Sequence, residues 1–146
     1  MTIIRKMENK DVPLLANIWL DTSLIAHDFI PKDYWKNNKS LMIEKYLPNS
    51  EVYIAEEINN ILGFVALNEN YIAAIFVDIE QQGKGIGTLL LNYAKNLRTE
   101  LKLNVYQKNK KSVRFYKYNE FMISSESIDQ STLEKEYIMQ WNHSEK

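Results

Sequence analysis

The chain has 146 residues, 45% apolar and 25% charged, which is ordinary for one globular domain. It has no cysteine, which excludes disulfides, zinc–thiolate sites and a cysteine nucleophile. A net charge of −1 gives no sign of the basic face that nucleic-acid binding needs. Charged residues near the start and the short apolar runs argue against a signal peptide or membrane span, so we expect a cytoplasmic protein without a membrane partner.

The N-terminal third predicts a strand and two helices. Residues 2–7 are β-like, and Asp11 is placed to cap a helix that carries Pro13 in its first turn. Four apolar residues continue this helix at helical spacing: Leu14, Leu15, Ile18 and Trp19. The stretch Leu24–Pro31 predicts a loop, and a second helix follows to about Leu47.

Three strands joined by turns are predicted next. Residues 51–56 form the first strand, and Asn59-Asn60 is a good hairpin turn. Residues 61–67 are almost wholly apolar, as in a central strand. After a turn at 68–70, residues 71–77 are the most continuous apolar run and predict the buried centre of a sheet.

The second half predicts two helices and three strands. Apolar residues at helical spacing mark the first helix: Ile86, Leu89, Leu90, Tyr93, Ala94 and Leu97. A strand at 101–106, a helix at 110–118 and strands at 121–125 and 135–141 follow. The order of elements predicts an α/β domain with a mixed sheet.

Three glycines, at positions 83, 85 and 87, lie between the apolar strand and the amphipathic helix. The first N–H groups of a helix have no intrahelical partner and carry the positive end of its dipole. Glycines leave this backbone accessible, so the segment suits a phosphate group. The alternative is a turn that only connects strand to helix.

The glycine spacing excludes two common nucleotide sites. A Walker loop ends in Gly-Lys-Ser/Thr, which is absent, and a dinucleotide-binding unit has its glycines after the first strand of a βαβ unit. The pattern Gln82-x-x-Gly85-x-Gly87 instead resembles the Arg/Gln-x-x-Gly-x-Gly/Ala motif of GNAT acetyltransferases. The resemblance implies that this loop holds the pyrophosphate of coenzyme A, that acetyl-CoA is the cosubstrate, and that no metal is needed.

A second segment, Asn104–Phe121, resembles the family pattern of a strand, an Asn, and a helix ending in Phe-Tyr-x-x-x-Gly-Phe. The resemblance implies that Asn109 caps the helix and contacts coenzyme A, and that Phe115 packs in the core. It implies that Tyr116 places its hydroxyl at the coenzyme sulfur, where it would assist departure of the thiolate. The alternative for Tyr116 is an aromatic ring that only packs in the core.

The chain departs from the family pattern at Glu120, where the family usually has a helix-ending glycine. Asn tolerates the left-handed conformation, so we expect Asn119 to adopt it instead. This departure affects the expected geometry of the turn and leaves the family resemblance intact.

The resemblance covers nearly the whole chain and implies a single domain over residues 1–146. The implied acyl-CoA N-acyltransferase fold has a central, mostly antiparallel sheet with one splayed parallel strand pair and about four flanking helices. The match is closer still to small bacterial members of the YiaC and YjaB type, through four segments: Ile18–Leu20, Ala26–Ile30, Ala73–Val77 and Val105–Asn109. It implies an enzyme that transfers acetyl to a primary amine of a small molecule, a protein lysine or an N-terminus, by direct attack in a ternary complex.

The resemblance places the coenzyme between the parallel strands 71–77 and 101–106, where a backbone N–H of the first strand would polarise the thioester. The implied coenzyme-binding residues are Phe76, Val77, Gln82, Gly83, Lys84, Gly85, Ile86, Gly87, Thr88, Asn109, Ser112, Phe115 and Tyr116. The basic run Lys108, Lys110, Lys111 and Arg114 either meets the adenosine 3′-phosphate or is a solvated helix face.

The acceptor amine must lose a proton, and many family members supply a Glu on or beside the central strand. Residues 71–77 contain no acid, so Glu69 is the first candidate base, His27 the second, and direct loss to water a third route. Glu69 is otherwise a solvated turn residue, and His27 a packed ring. The implied acceptor-binding residues are His27, Asp28, Phe29, Tyr71 and Tyr106, with Trp35 and Tyr46 as further lining or as core.

Two readings from other classes stay open. A catalytically silent domain of the same fold would sense acyl-CoA, and an unrelated nucleotide-binding module would prefer ATP or NAD. A longer acyl group is a variant of the first reading. The sequence is compatible with a monomer or a homodimer.

Overall fold

The computed structural model describes residues 1–143, which form seven strands and four α-helices. The strands are β1 (Ile3–Lys6), β2 (Glu51–Glu57), β3 (Asn60–Asn68), β4 (Tyr71–Val77), β5 (Glu100–Tyr106), β6 (Met122–Ile128) and β7 (Lys135–Asn142). The helices are α1 (Val12–Ala26), α2 (Lys32–Leu41), α3 (Ile86–Leu97) and α4 (Lys110–Tyr118). None of the described helices is long and apolar enough to cross a membrane.

All seven strands belong to one sheet, in the order β1-β2-β3-β4-β5-β7-β6. Every neighbouring pair is antiparallel except β4 and β5, which are parallel. The predicted mixed-sheet α/β fold, with one parallel pair among antiparallel neighbours, is confirmed.

The parallel strands are paired only where they begin. Tyr71 lies opposite Lys102, whose amide N–H donates to the carbonyl oxygen of Asn70 at 2.9 Å. Beyond this point the described residues of β4 and β5 share no ladder, so a gap opens towards the carboxyl ends of both strands. The gap places the ends of β4 and β5, Val77 and Tyr106, on opposite sides of an opening in the middle of the sheet.

Each face of the sheet carries its own hydrophobic core. The core under α3 and α4 includes Leu90, Leu91, Leu101, Leu103 and Met139, and the core under α1 and α2 includes Leu15, Trp19, Trp35, Ile54 and Phe64. Side chains alternate along β5, so Leu103 and Val105 join the first core while Tyr106 packs against the second. Side chains of β5 can therefore reach either face of the sheet beside the gap.

Three element boundaries differ from those predicted by three residues or more. α1 continues to Ala26, because no Gly or Pro interrupts Leu24–Ala26, and the predicted loop shrinks to residues 27–31. The second helix ends at Leu41 and continues as a π-helical turn over Met42–Tyr46. β6 reaches Ile128, three residues beyond its predicted end.

Asp11 stands at the predicted start of α1, but its carboxylate does not cap that helix. Its two oxygens accept from the Arg5 guanidinium at 2.8 and 3.0 Å, and Oδ2 also accepts from the Glu8 amide N–H at 2.8 Å. The hydrogen bonds from Arg5 lower the pKa of this buried carboxyl. Arg5 also pairs with Glu56 at 2.9 Å, so Asp11 anchors the chain to β1 and β2.

The two edge strands are short or irregular. β1 has four residues, of which Arg5 is held by carboxylates from two other elements. At the other edge, the pairing of β6 with β7 shifts between Ile123 and Ser125, which makes a β-bulge. Neither edge is a long flat strand.

Glu120, and not Asn119 as predicted, takes the left-handed conformation after α4. Glu120 has φ +74°, whereas Asn119 has φ −96°. The Asn119 side chain instead donates from Nδ2 to the carbonyl oxygen of Phe115 at 2.9 Å, inside a buried position. The sequence thus places a residue with a Cβ where a glycine is least strained.

Replacing that residue tests the strain. We expect Glu120→Gly to raise the free energy of unfolding by about 1 kcal/mol, because relief of left-handed strain exceeds the added entropy of the unfolded chain. Urea unfolding measures the change. In the matched control, Arg114→Gly in the exposed middle of α4 should lower the free energy of unfolding by about 1 kcal/mol. A Glu120→Gly protein no more stable than the parent would contradict the assignment of strain.

Candidate active site

The glycine-rich segment forms an open turn at the N-terminus of α3. Gly83 and Gly85 have φ +80° and +87°, and a Cβ at either would meet no described atom within 4 Å. No described side chain caps α3. At the start of the helix, the Leu89 N–H donates a backbone hydrogen bond to the Gly85 carbonyl oxygen at 3.0 Å. The N–H groups of the first turn therefore face open space, which suits an anion.

A cavity of about 750 Å³ extends from this turn. Its walls are the end of β4, the glycine segment, the start of α4 and the last turn of α1. Of the described residues that line it, none is Asp or Glu and three are lysines: Lys108, Lys110 and Lys111. Lys108 pairs with Glu134 at 3.2 Å, so the positive potential of the cavity comes mainly from the helix N-terminus, Lys110 and Lys111.

This cavity brings together all but one of the predicted coenzyme-binding residues. Those that line it are Phe76, Val77, Gln82, Gly83, Gly85, Ile86, Gly87, Thr88, Asn109, Ser112, Phe115 and Tyr116. Lys84 is the exception: it lines neither cavity, and its Nζ donates to Oε1 of Gln81 at 3.3 Å. Arg114 of the basic run also lies outside.

The Gln82 side chain connects the glycine-rich segment to the segment that contains α4. Its Nε2 donates to the Val77 carbonyl oxygen at 3.0 Å, and its Oε1 accepts from Nζ of Lys111 at 3.3 Å. These contacts connect the end of β4 to the first turn of α4. The side chain therefore shapes the turn, in addition to lining the cavity.

A second cavity, of about 180 Å³, lies in the gap between β4 and β5. It shares six lining residues with the first: His27, Ile75, Phe76, Asn109, Ser112 and Tyr116. The rest of its wall comes mostly from β4, β5 and the two core tryptophans, Trp19 and Trp35. The shared residues form a boundary at which the two cavities meet.

Tyr116 lies at that boundary and is 9% exposed. Its ring packs on Phe115 and Phe121, with centroid separations of 5.3 and 5.8 Å. Burial raises the pKa of its phenol, so the hydroxyl stays protonated at neutral pH. The residue therefore combines the core-packing role with a hydroxyl group at both cavities. Phe115 is only partly buried and packs beside Gly87.

Asn109 caps α4, as predicted, and is tied to His27. Its Oδ1 accepts from the Ser112 amide N–H at 3.2 Å, which leaves the amide nitrogen Nδ2 facing Nε2 of His27 at 3.1 Å. Because Nδ2 can only donate, Nε2 of His27 accepts, and the proton of the neutral imidazole is on Nδ1. This bond joins the end of α1 to the start of α4.

His27 is poorly suited to act as a base. The ring is 8% exposed, stacks on Trp35 at 5.1 Å, and meets Phe29 and Tyr106 edge-on. Burial lowers its pKa to about 4, and Asn109 occupies its one basic nitrogen. Its Nδ1 is buried without a hydrogen-bond partner among the described residues.

The structure does not bring Glu69 to either cavity. Glu69 lies in the turn before β4, at the paired end of the gap, and its carbonyl oxygen accepts from Nε of Arg98 at 2.8 Å. The second cavity is lined by Ile72–Phe76 of β4 and by no residue of this turn. The arrangement gives no support to Glu69 as the base.

Only some of the other predicted acceptor-binding residues line a cavity. Tyr106 lines the second cavity, as does Trp35. Phe29 packs edge-on against the rings of His27 and Tyr106 but lines neither cavity. Asp28 and Tyr46 are exposed and line neither cavity, and Tyr71 lies at the paired end of the gap, 37% exposed.

Sequence reasoning missed two polar residues of the second cavity, Asn104 and Glu136. Glu136 follows from β7 lying beside β5, a pairing that places it opposite Tyr106. Asn104 lies two residues before Tyr106 and so shares its face of the strand. The period-2 pattern of β5 could have indicated Asn104, whereas Glu136 required the strand order.

The sequence matches the family described as acetyltransferase (GNAT) domain over residues 48–123. It is 32% identical over 140 residues to the peptidyl-lysine N-acetyltransferase YiaC of Escherichia coli, covering 95% of this chain and 96% of that protein. The solution structure of apo-form YjaB from Escherichia coli superposes with a TM-score of 0.87, at 25% identity and 99% coverage of both chains. The PaiA N-acetyltransferase of Thermoplasma acidophilum, solved in complex with coenzyme A, has the same fold, with a TM-score of 0.80 at 19% identity and 98% and 99% coverage.

The environment of His27 predicts its titration. We expect its NMR midpoint to lie near 4, with the proton of the neutral ring on Nδ1, as the ¹⁵N shifts of the ring will report. The unfolded chain binds a proton near pH 6.5 while the folded ring does not, so stability is lost as pH falls. The loss between pH 7 and 5 should be roughly 2 kcal/mol larger in the parent than in His27→Phe.

The second histidine, His143, allows the signals to be assigned. A His143→Gln protein retains only the His27 resonance, and its titration is followed directly. A midpoint near 6.5, or a proton on Nε2, would contradict the proposed bond between Asn109 and His27.

Proposed function

The chain belongs to the acetyltransferase (GNAT) family and is an N-acetyltransferase, and on that premise we propose that it acetylates lysine side chains from acetyl-CoA. One observation carries the proposal. A positively charged cavity at the N-terminus of α3 meets, at Tyr116, a second cavity within the gap of the sheet. One ligand can thus enter from each side. We also propose that the chain acts as one domain. The lysine acceptor is supported by the name of the YiaC relative, a peptidyl-lysine N-acetyltransferase.

The first cavity fits the phosphate end of coenzyme A. The open turn at Gly83 and Gly85 and the first N–H groups of α3 would bind the pyrophosphate. The lysines at the start of α4 would pair with further phosphate charge. Coenzyme A and acetyl-CoA complexes of other proteins with this fold are consistent with this placement.

The gap between β4 and β5 fits the pantetheine arm. Past Tyr71, β4 has no ladder partner on this side among the described residues, so its backbone groups are available to the amides of the arm. A backbone N–H near Phe76 or Val77 would then polarise the thioester carbonyl. The wide end of the gap would hold the thioester at the boundary of the two cavities.

Tyr116 would stabilise the leaving sulfur by a hydrogen bond. A thiol has a pKa near 8.5, well below that of this buried phenol, so the phenol would donate a hydrogen bond rather than give up its proton. Because the Tyr116 phenol stays protonated at neutral pH, it would donate a hydrogen bond and would not act as a general base. His27 would act by holding Asn109, and through it the first turn of α4, in position.

The two cavities favour direct attack in a ternary complex. Because they meet at shared residues, amine and thioester would be held in contact without a covalent enzyme intermediate. The lack of cysteine in the chain is consistent with this order of events, since no thiol is present to take the acetyl group.

Removing one hydroxyl tests the proposal. We expect Tyr116→Phe to lower kcat for a lysine peptide by about 100-fold, the effect of losing one donor to developing negative charge. Release of coenzyme A thiol measures the rate, and calorimetry should show unchanged affinity for acetyl-CoA. Tyr118→Phe is the matched control, because Tyr118 lies on the same helix but is 86% exposed.

Other outcomes identify the alternatives. Tight acetyl-CoA binding without turnover of any amine would favour an acyl-CoA sensor. Preference for ATP or NAD would contradict the assignment of the glycine turn. Equal rates for Tyr116→Phe and Tyr118→Phe would leave the enzyme in place and remove the role of the hydroxyl.

A further inference from the structure

Glu136 lines the second cavity and belongs to β7, a strand that contains neither of the two family motifs. It is opposite Tyr106 in the antiparallel pairing of β7 with β5, so both side chains project from the same face of the sheet. Tyr106 packs against His27 and Trp35, which belong to the wall of the second cavity. Glu136 therefore faces the α1 and α2 side of the gap, away from α3 and the glycine turn.

The charges of the two cavities are opposite. The first contains three lysines and no carboxylate, whereas in the second, among the described residues, Glu136 is the one carboxylate and no Lys or Arg is present. Apolar and aromatic side chains make up most of the remaining wall: Trp19, Trp35, Ile72, Phe76, Leu103, Val105 and Tyr106. A cavity with one anion among aromatic walls matches an alkyl ammonium group.

The carboxylate is positioned but has no cation. Oε1 accepts from Nδ2 of Asn104 at 3.0 Å and from Oγ of Ser127 at 3.5 Å. Oε2 has no hydrogen-bond donor, and Glu136 has no salt bridge, among residues 1–143. Asn104 thus fixes the carboxylate while leaving one oxygen available, which is the arrangement expected of a site for a charged ligand.

The surroundings also limit solvation of this charge. Burial raises the pKa of Glu136, and burial together with the charge of Glu136 raises the pKa of the Tyr71 phenol. The charge of Asp129 raises the pKa of Glu136 in the same direction as burial. A partly buried carboxylate without a cation is unfavourable in the free protein and gains from a cationic partner.

We propose that Glu136 binds the ammonium group of the acceptor lysine and takes its first proton. This inference rests on the proposed function and deepens it by naming the base that β4 lacks. The ammonium gives one proton to the carboxylate, and the neutral nitrogen attacks the thioester carbonyl to form the N–C bond. The C–S bond then breaks, the nitrogen loses its second proton, and the thiolate, hydrogen-bonded to Tyr116, takes up one proton to become the coenzyme A thiol. Glu136 finally releases its proton to solvent.

Two acceptors that differ in charge separate this role from a structural one. One is a lysine peptide, charged at pH 7, and the other is the same peptide with an aminooxy side chain, which is neutral at pH 7. We expect Glu136→Gln to lower kcat/KM for the lysine peptide by about 100-fold and to change that for the aminooxy peptide by less than about threefold. A structural defect would lower both values alike.

Binding gives a readout that does not need turnover. With coenzyme A present, the parent should bind the lysine peptide at least about tenfold more tightly than a norleucine peptide, and Glu136→Gln should remove that preference. Affinity for acetyl-CoA should stay the same. Glu126→Gln is the matched control: it removes the same charge from the neighbouring strand β6, where Glu126 is exposed and lines neither cavity.

The outcomes distinguish this inference from the proposed function. Turnover by the parent, with Glu136→Gln affecting both acceptors equally or neither, overturns the role of Glu136 and leaves the acetyltransferase intact. Equal effects of Glu126→Gln and Glu136→Gln overturn it as well, because a general loss of negative charge would explain both. A parent that turns over no amine overturns the proposed function, and this inference with it.

Discussion

The parallel strands β4 and β5 share a ladder only at Tyr71 and Lys102, and from there the sheet divides. A continuous sheet would have buried the backbone groups of both strands against each other and left no passage between its faces. Because the strands separate, the two hydrophobic cores are joined by an opening, and both cavities lie along it. Each side chain to which the proposals assign a role borders this opening or holds a neighbour that does.

The opening is kept in shape by polar contacts between elements that are distant in sequence. Asn109 connects the start of α4 to His27 at the end of α1, and Gln82 connects the same helix to the end of β4. The bond between Asn109 and His27 is buried, so losing one partner would leave the other without water to replace it. Electrostatics then distinguishes the two ends, with lysines and a helix N-terminus at one and a lone carboxylate at the other.

Local sequence patterns predicted most of the fold, and the family resemblance named most of the residues that line the first cavity. The apolar run of β4, the glycines at 83, 85 and 87, and the helical spacing of α3 are contiguous, so their structural relationship is already contained in a short segment. The second cavity is assembled from β4, β5, β7, α1, α2 and α4, and its composition depends on strand order and register. Glu69 was chosen for its closeness in sequence to β4, but it lies in the turn before that strand and lines neither cavity. Glu136, 59 residues after the last residue of β4, comes to the cavity through β7.

The same distinction between local and non-local information explains the smaller errors. Asn119 has the better intrinsic tolerance for a left-handed backbone, yet its side chain is committed to the last turn of α4, and the strained conformation passes to Glu120. Likewise, the position of Asp11 at a helix start was readable, but its pairing with Arg5 on another element was not. Propensity ranks the options at a site, and tertiary contacts decide among them.

The irregular edges of the sheet bear on how the protein behaves at high concentration. Exposed strands with free backbone groups are templates on which further copies can add, and long flat edges lead to fibrous or amorphous aggregates. Here β1 offers only four residues, and β6 is broken by a bulge and carries Glu126 beside it. A copy that docked on either edge would find too few backbone partners in register to form a stable ladder, so edge-to-edge polymerisation is disfavoured although the sheet is open at both ends.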